Sequence, residues 1–223
     1  MKIEVNHIKK HFNKADILRD VSFSAESGEC IGIVGKNGCG KSTLLKILAG
    51  VSSRDGGDFF CDGKDFFAEK DLRAAGVSYV PQEPPIIPEL SARDNLRLWY
   101  DKAEMERSLR DGTLAALGIN EFLSVTAGKL SGGMKKRLSI GCALAGSPSV
   151  LLLDEPGASL DLPGKKQITD DILRFKTSGG IAVIVTHEPC ELTICDKIFI
   201  LRNGVLDEYA YTGDPDALAG ELS

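Results

Sequence analysis

The sequence has no long apolar run: no window nears the ~18–20 apolar residues that a membrane-spanning helix needs. Work at a membrane would leave the spanning to another polypeptide. Met1-Lys2-Ile3-Glu4 opens no apolar stretch of the secretory kind, so no signal peptide is expected. Surplus positive charge is missing too. Its 27 Lys and Arg against 32 Asp and Glu leave a net charge of −5, which argues against a nucleic-acid partner held by bulk charge. Cysteine patterns are also lacking. The six cysteines form no C-x-x-C pair and no Cys/His metal spacing, which points to reduced, mostly buried thiols in a cytosolic protein. There is no internal repeat and no low-complexity linker. With 43% hydrophobic residues in 223, the chain can build a real core, and disorder is excluded. That length fits a single domain, 1–223, with a small lobe.

The opening reads as strands, with Ile3, Val5 and His7 alternating and then Ile17 to Phe23. Cys30 to Val34 is a buried strand that breaks into a glycine-rich turn, followed by a helix from about Lys41 to Ala49. Phe59 to Gly63 predicts a hairpin, and Val77 to Val80 a short strand. The stretch that follows differs. Prolines at 84, 85 and 88 precede Asn95, Leu96, Leu98, Met105, Leu109, Leu114 and Leu117 at mixed helical spacing. This predicts a helical subdomain over about 84–145. Strand–helix alternation then returns: strand Val150 to Leu153, helix Leu162 to Phe175, strand Ile181 to Val185, and terminal strands near Ile198 to Leu201 and Val205 to Tyr209. The fold class expected is α/β, with a mostly parallel sheet and an added antiparallel piece at the N-terminus.

Gly35-Lys36-Asn37-Gly38-Cys39-Gly40-Lys41-Ser42 satisfies G-x-x-x-x-G-K-[ST], directly after an apolar strand and directly before a helix. Glycines let the backbone curl until several N–H groups point at one anion, and the helix N-terminus adds partial positive charge there. Lys41 would reach the β- and γ-phosphates of a nucleotide, and Ser42 would offer its hydroxyl to Mg²⁺.

Val150-Leu151-Leu152-Leu153-Asp154-Glu155 is an apolar strand ending in two acids. Adjacent strand residues face opposite ways, so the two need not share a task. Asp154 is placed to hold Mg²⁺ and Glu155 to orient or deprotonate the attacking water. Leu130-Ser131-Gly132-Gly133-Met134 opens a helix whose expected apolar face is Met134, Leu138, Cys142 and Ala145. Ser131 is a natural N-cap. Two glycines behind it cost helix stability, about 0.5–1 kcal/mol each, unless the helix must present bare N–H groups to a phosphate. One triphosphate can hardly use two such cradles from one chain, so the second is expected to close a neighbour's site.

With these motifs the chain resembles the ATP-binding cassette (ABC) ATPases over nearly its whole length. Gly35 to Ser42 is similar to the family's Walker A, Val150 to Glu155 to its Walker B, and Leu130 to Met134 to its signature motif. Gln82 falls at the Q-loop, Ser159-Leu160-Asp161 at the D-loop, His187 at the switch histidine, and Phe12 at the aromatic that stacks on adenine. Departures are Met134 where Gln is usual, and Gly157 and Ser159 where Thr and Gly are common.

The resemblance implies a P-loop NTPase core and the following roles. Glu155, His187 and Lys41 would carry catalysis. Phe12, Gly35, Asn37, Gly38, Cys39, Gly40, Lys41, Ser42, Thr43 and Gln82 would bind ATP. Ser42, Gln82 and Asp154 would hold Mg²⁺, while Ser131, Gly132, Gly133 and Asp161 would serve the nucleotide of a second, head-to-tail subunit. It further implies membrane-spanning partner subunits at the cytoplasmic face, with no nucleic acid. Residues 82–98 look similar to exporter-type cassettes, with an importer left open; a soluble cassette ATPase such as an iron–sulfur assembly type is the alternative. Cys39, inside the loop, is expected to react with maleimide-type reagents, with Mg-ATP protecting it. Asn13-Lys14-Ala15-Asp16 fits the guanine-reading N-K-x-D pattern but precedes the phosphate loop, so it is read as coincidence.

Overall fold

The computed structural model describes residues 1–12, 15–72 and 76–222; Asn13 and Lys14 of the N-K-x-D match lie outside them. In chain order the strands are Lys2–Phe12 (β1), Ala15–Glu26 (β2), Cys30–Val34 (β3), Gly56–Cys61 (β4), Lys64–Asp65 (β5), Val77–Val80 (β6), Val150–Asp154 (β7), Ile181–Val185 (β8), Lys197–Arg202 (β9) and Val205–Glu208 (β10). The helices are Lys41–Leu48 (α1), Ala92–Leu96 (α2), Lys102–Asp111 (α3), Thr113–Ala116 (α4), Gly132–Ala143 (α5), Leu162–Thr177 (α6), Pro189–Leu192 (α7) and Pro215–Glu221 (α8). Among the described residues the strands join in one mixed sheet, ordered β5-β4-β1-β2-β10-β9-β3-β8-β7-β6.

The sheet changes character along its width. β1, β2, β4 and β5 pair antiparallel and form the expected N-terminal piece. β9, β3, β8, β7 and β6 run parallel. Every residue of β3, β7 and β8 is buried, which is why their sequences are unbroken apolar runs rather than alternations. One expected alternation fails. At His7 the backbone turns left-handed (φ 52) and the β1–β2 register shifts, so Ile8 and Lys10 point inward and His7 lies exposed.

Two large apolar cores cover the sheet. One joins Ile3, Val5, Val21 and Phe59 of the antiparallel piece to Leu44, Leu45 and Leu48 of α1 and to β3 and β8. The other packs Leu96, Met105, Leu114, Phe122, Leu138 and Ile172 against Val80, Leu151 and Leu153. Helices α2 to α5 thus occupy the residues between β6 and β7. Ser91 and Asp101 cap α2 and α3 by accepting from the N–H groups of Asp94 and Glu104. Leu98, expected on the helical apolar face, is instead 58% exposed.

Helix α5 corrects a second expectation. Its buried residues are Lys136, Leu138, Ser139, Ile140 and Gly141, while Met134, Cys142 and Ala145 are only half-buried. The reason is position: α5 touches α2, α6 and β6, so it is enclosed on several sides and has no single apolar stripe. No helix among the described residues is long and apolar enough to cross a membrane.

Candidate nucleotide-binding site

Four parallel strands deliver the predicted residues to one edge of the sheet. β3 runs into the glycine-rich loop, β6 into Pro81-Gln82, β7 into Asp154-Glu155 and β8 into Thr186-His187. Register keeps these exits level, with Val80 opposite Leu153, Asp154 opposite Val185, and Ile33 opposite Val185. Ligands of open α/β sheets bind outside such carboxyl ends.

The loop ends at Gly40, whose φ of 112 belongs to glycine; a Cβ there would lie 2.8 Å from Ile17 Cγ2. Helix α1 then starts with no side-chain cap and no acid in its first turn, leaving its N–H groups bare. Lys41 is 6% exposed and folds back along the loop, donating to the carbonyls of Gly35 at 2.6 Å and Lys36 at 3.1 Å.

A cleft of about 460 Å³ opens here, lined by Phe12, Ile17, Asn37, Gly38, Gly40, Lys41, Ser42, Thr43, Gln82 and Glu155. Phe12 presents a 49% exposed ring, braced by the Lys10 ammonium 5.1 Å from its centroid. Lys10 is itself anchored to Asp55 at 3.1 Å. Gln82 Nε2 donates to Glu155 Oε2 at 2.9 Å. Asp154 is buried and accepts from Tyr79 OH at 3.1 Å; burial and the Asp154 carboxylate push the Tyr79 phenol upward, so it remains a donor. Gly35 and Cys39 lie in the loop but off the cleft wall, the Cys39 thiol tucked where a Cβ on Gly35 would meet it at 2.8 Å.

His187 is exposed and within electrostatic reach of Lys41 and Glu155. Partial desolvation, then the Lys41 ammonium, hold its pKa below the usual imidazole value. Its loop is tied down from behind. Thr186 donates its hydroxyl to the buried Glu191 carboxylate and accepts from Glu188 N at 2.9 Å, while Lys165 of α6 pairs with Glu188 at 2.8 Å.

The residues expected to serve a neighbour line a second cavity of about 450 Å³, which shares no lining residue with the first. Its walls include Ser131, Gly132, Gly133, Arg137, Ser159 and Asp161. Ser131 accepts from Met134 N at 3.3 Å and Asp161 from Gly164 N at 3.0 Å, so both are also N-caps. A Cβ on Gly133 would meet nothing within 4 Å; packing inside the chain does not demand this glycine.

Sequence reading missed several participants. No local pattern singles out Tyr79, Lys136 or Glu191: Tyr79 is seen only through its hydrogen bond to Asp154, and Lys136 and Glu191 only through their burial.

A phosphate-loop α/β fold with an antiparallel flank and a helical insert is a nucleotide-binding architecture of the P-loop class. Residues 18–158 match the ABC transporter family, and the chain belongs to that family. It is 35% identical over 92% of its length to a ribose import ATP-binding protein RbsA of Bacillus cereus, and spans only 44% of that protein. Identity is 31% over 96% of the chain to the sulfate/thiosulfate import ATP-binding protein CysA of Pseudomonas syringae pv. tomato, of which it spans 68%. Among solved structures, a dimeric ATP-binding cassette in a post-hydrolysis state bound to ADP and Pi superposes with a TM-score of 0.80 at 26% identity, covering 93% of this chain and 97% of that one. The exporter-type likeness expected from residues 82–98 is not what these relatives carry: both are named for import. They lend no support to the iron–sulfur alternative either.

Proposed function

We propose that this chain is the ATP-binding and ATP-hydrolysing subunit of an ABC importer, working at the cytoplasmic face of a membrane as one half of a head-to-tail pair. The observation that carries the reading is the division of the phosphate-facing groups between two cavities. One holds the curled loop, Lys41 and Glu155; the other holds the α5 N-terminus at Gly132 and Gly133 with Asp161. Each is half of a nucleotide enclosure, and a second copy of the chain supplies the missing half. The dimeric neighbour with ADP and Pi supports this, as do the import names of the relatives.

The donor set fits magnesium carried by a nucleotide. Among the described residues no cluster of three or more His, Cys, Asp or Glu could cage a metal alone. Ser42, Gln82 and Asp154 are hard oxygen donors that suit a cation already held by phosphates. When bound, that ion neutralises charge on the terminal phosphates. The chain's own contribution is placement. The loop amides and Lys41 grip the phosphate tail, Phe12 offers a face for the adenine, and Glu155 orients and deprotonates the attacking water. His187, held neutral, donates a hydrogen bond to the terminal phosphate.

A membrane-spanning partner has a seat beside the Gln82 loop. A groove of about 420 Å³ runs between the sheet edge and the helical subdomain of about residues 84–145, past Val51, Tyr79, Pro85, Ile86, Trp99 and Cys142. Trp99 is 59% exposed and Val51 67%, an apolar surface suited to a helix of that subunit. Phosphate release from ATP tests the function: wild type turns over only with Mg²⁺, and Lys41→Ala loses at least about 10²-fold. Equal turnover by the variant would overturn the reading.

A further inference from the structure

Helix α5 begins in one cavity and grips the other. Its first residues, Gly132 and Gly133, line the second cavity. One turn along, Lys136 reaches away from that cavity and donates to the carbonyls of Gln82 at 2.9 Å and Pro81 at 3.2 Å. The β6–β7 ladder stops at Val80, so these carbonyls lie just beyond its last pairing. The same residue, Gln82, sends its side chain to Glu155 in the first cleft.

Lys136 is not an ordinary surface lysine that lays its stem on the protein and keeps its charge in water. It is 3% exposed, and its ammonium ends on the loop backbone. Burial drags its pKa down to about 8, while Asp154, Glu191 and Glu155 pull it back up. A buried cation is costly unless paired and hydrogen-bonded, and here three carboxylates and two carbonyls offset that cost. A methionine or leucine would fill the space without reaching the loop. The feature specific to lysine is the hold on Gln82.

We propose that Lys136 is a positioning residue that locks the Gln82 loop to the signature helix, so that the neighbour-facing cradle and the chain's own Gln82–Glu155 pair move as one body. The proposal rests on the nucleotide reading above and deepens it: it names the connection by which an occupant at Gly132 and Gly133 is felt at Glu155. Lys136 touches no reacting atom. It acts through Gln82.

The test compares wild type, Lys136→Met, Lys136→Arg, Gln82→Ala and the Lys136→Met/Gln82→Ala double variant in ATP turnover. Amide exchange across residues 82–87 is read on the same proteins without nucleotide. Lys136→Met is expected to lower kcat about tenfold with KM for ATP within about twofold, the size of one lost charge-assisted hydrogen bond. Lys136→Arg, which keeps the donors, restores most of it. The double variant is no slower than Gln82→Ala, because both changes break one connection. Exchange over 82–87 quickens in Lys136→Met while β3 and β8 stay protected. Should the methionine variant fail to fold, Lys136→Gln replaces it with the same expectations. Losses that multiply in the double variant, or exchange unchanged by removing the ammonium, overturn the proposal. If wild type turns over no ATP, the nucleotide reading fails, and the exchange measurement still decides whether Lys136 holds the loop.

Discussion

Gln82 and Glu155 are joined by a 2.9 Å hydrogen bond from the glutamine Nε2 to the carboxylate Oε2. They leave neighbouring strands, β6 and β7, and meet at the wall of one cleft. On the proposed function, the amide holds in place the acid that orients water. Gln82→Ala releases it. We expect kcat to fall about tenfold or more at saturating ATP, in the range of a misplaced general base. An unchanged kcat contradicts the assigned pairing.

Ser159 stands where the family commonly has glycine, and its backbone is left-handed, with φ 63. A serine there carries steric cost that glycine does not. Ser159→Gly is expected to stabilise the fold by about 0.5–1 kcal/mol, raising the thermal midpoint by roughly 1–4 °C. Calorimetry checks this; a lower midpoint would show that the strain is absorbed elsewhere.

A second departure, Gly157, is explained by Glu191. A Cβ on Gly157 would lie 2.4 Å from Glu191 Oε1, so the family's common threonine has no room. Glu191 is fully buried, and burial pushes its pKa up to about 7. The sign follows from proton counting. Between pH 4.5 and 7 the folded chain holds a proton on Glu191 that the unfolded chain has lost, so this residue's contribution to stability declines as pH rises through that window. Glu191→Gln removes the dependence. Relative to wild type, the variant should gain about 3 kcal/mol between pH 4.5 and 8. Denaturant unfolding at both pH values checks it; a difference that does not change with pH contradicts it.

Cys39 lies half-buried under Gly35, inside the loop rather than on the cleft wall. An adduct on its sulfur has no room without unwinding the loop between β3 and α1. Maleimide labelling at Cys39 should therefore abolish ATP turnover, and Mg-ATP, by holding the loop closed, should slow labelling. Full activity after stoichiometric modification of Cys39 rules this out.

Much of this was legible in the chain because the strands are fully buried. Apolar runs such as Cys30 to Val34 and Ile181 to Val185 mark strands with no ambiguity of face, and the glycine loop between strand and helix is a local signal. The exits of four strands follow from that alternation. What stayed hidden depends on packing at a distance. His7 gave no local hint of its bulge, and α7 and α8 are too short for periodicity to register. Lys136 reads as a solvated cation until α5 is seen enclosed between helices and sheet. That the two sets of glycines would not share a site was expected from economy, since one triphosphate has no use for two cradles; in the structure they line separate cavities.

The central claim is that nucleotide is enclosed between two copies, the loop of one facing Ser131 to Gly133 of the other. Light scattering on purified Glu155→Gln, in which the proposed base is removed and bound ATP is expected to stay intact, tests it most directly. With Mg-ATP the mass should double from the 23.9 kDa of one chain, and Gly133→Asp in the same background should keep it single while ATP still binds. A mass that stays at one chain while ATP saturates Glu155→Gln would contradict the account.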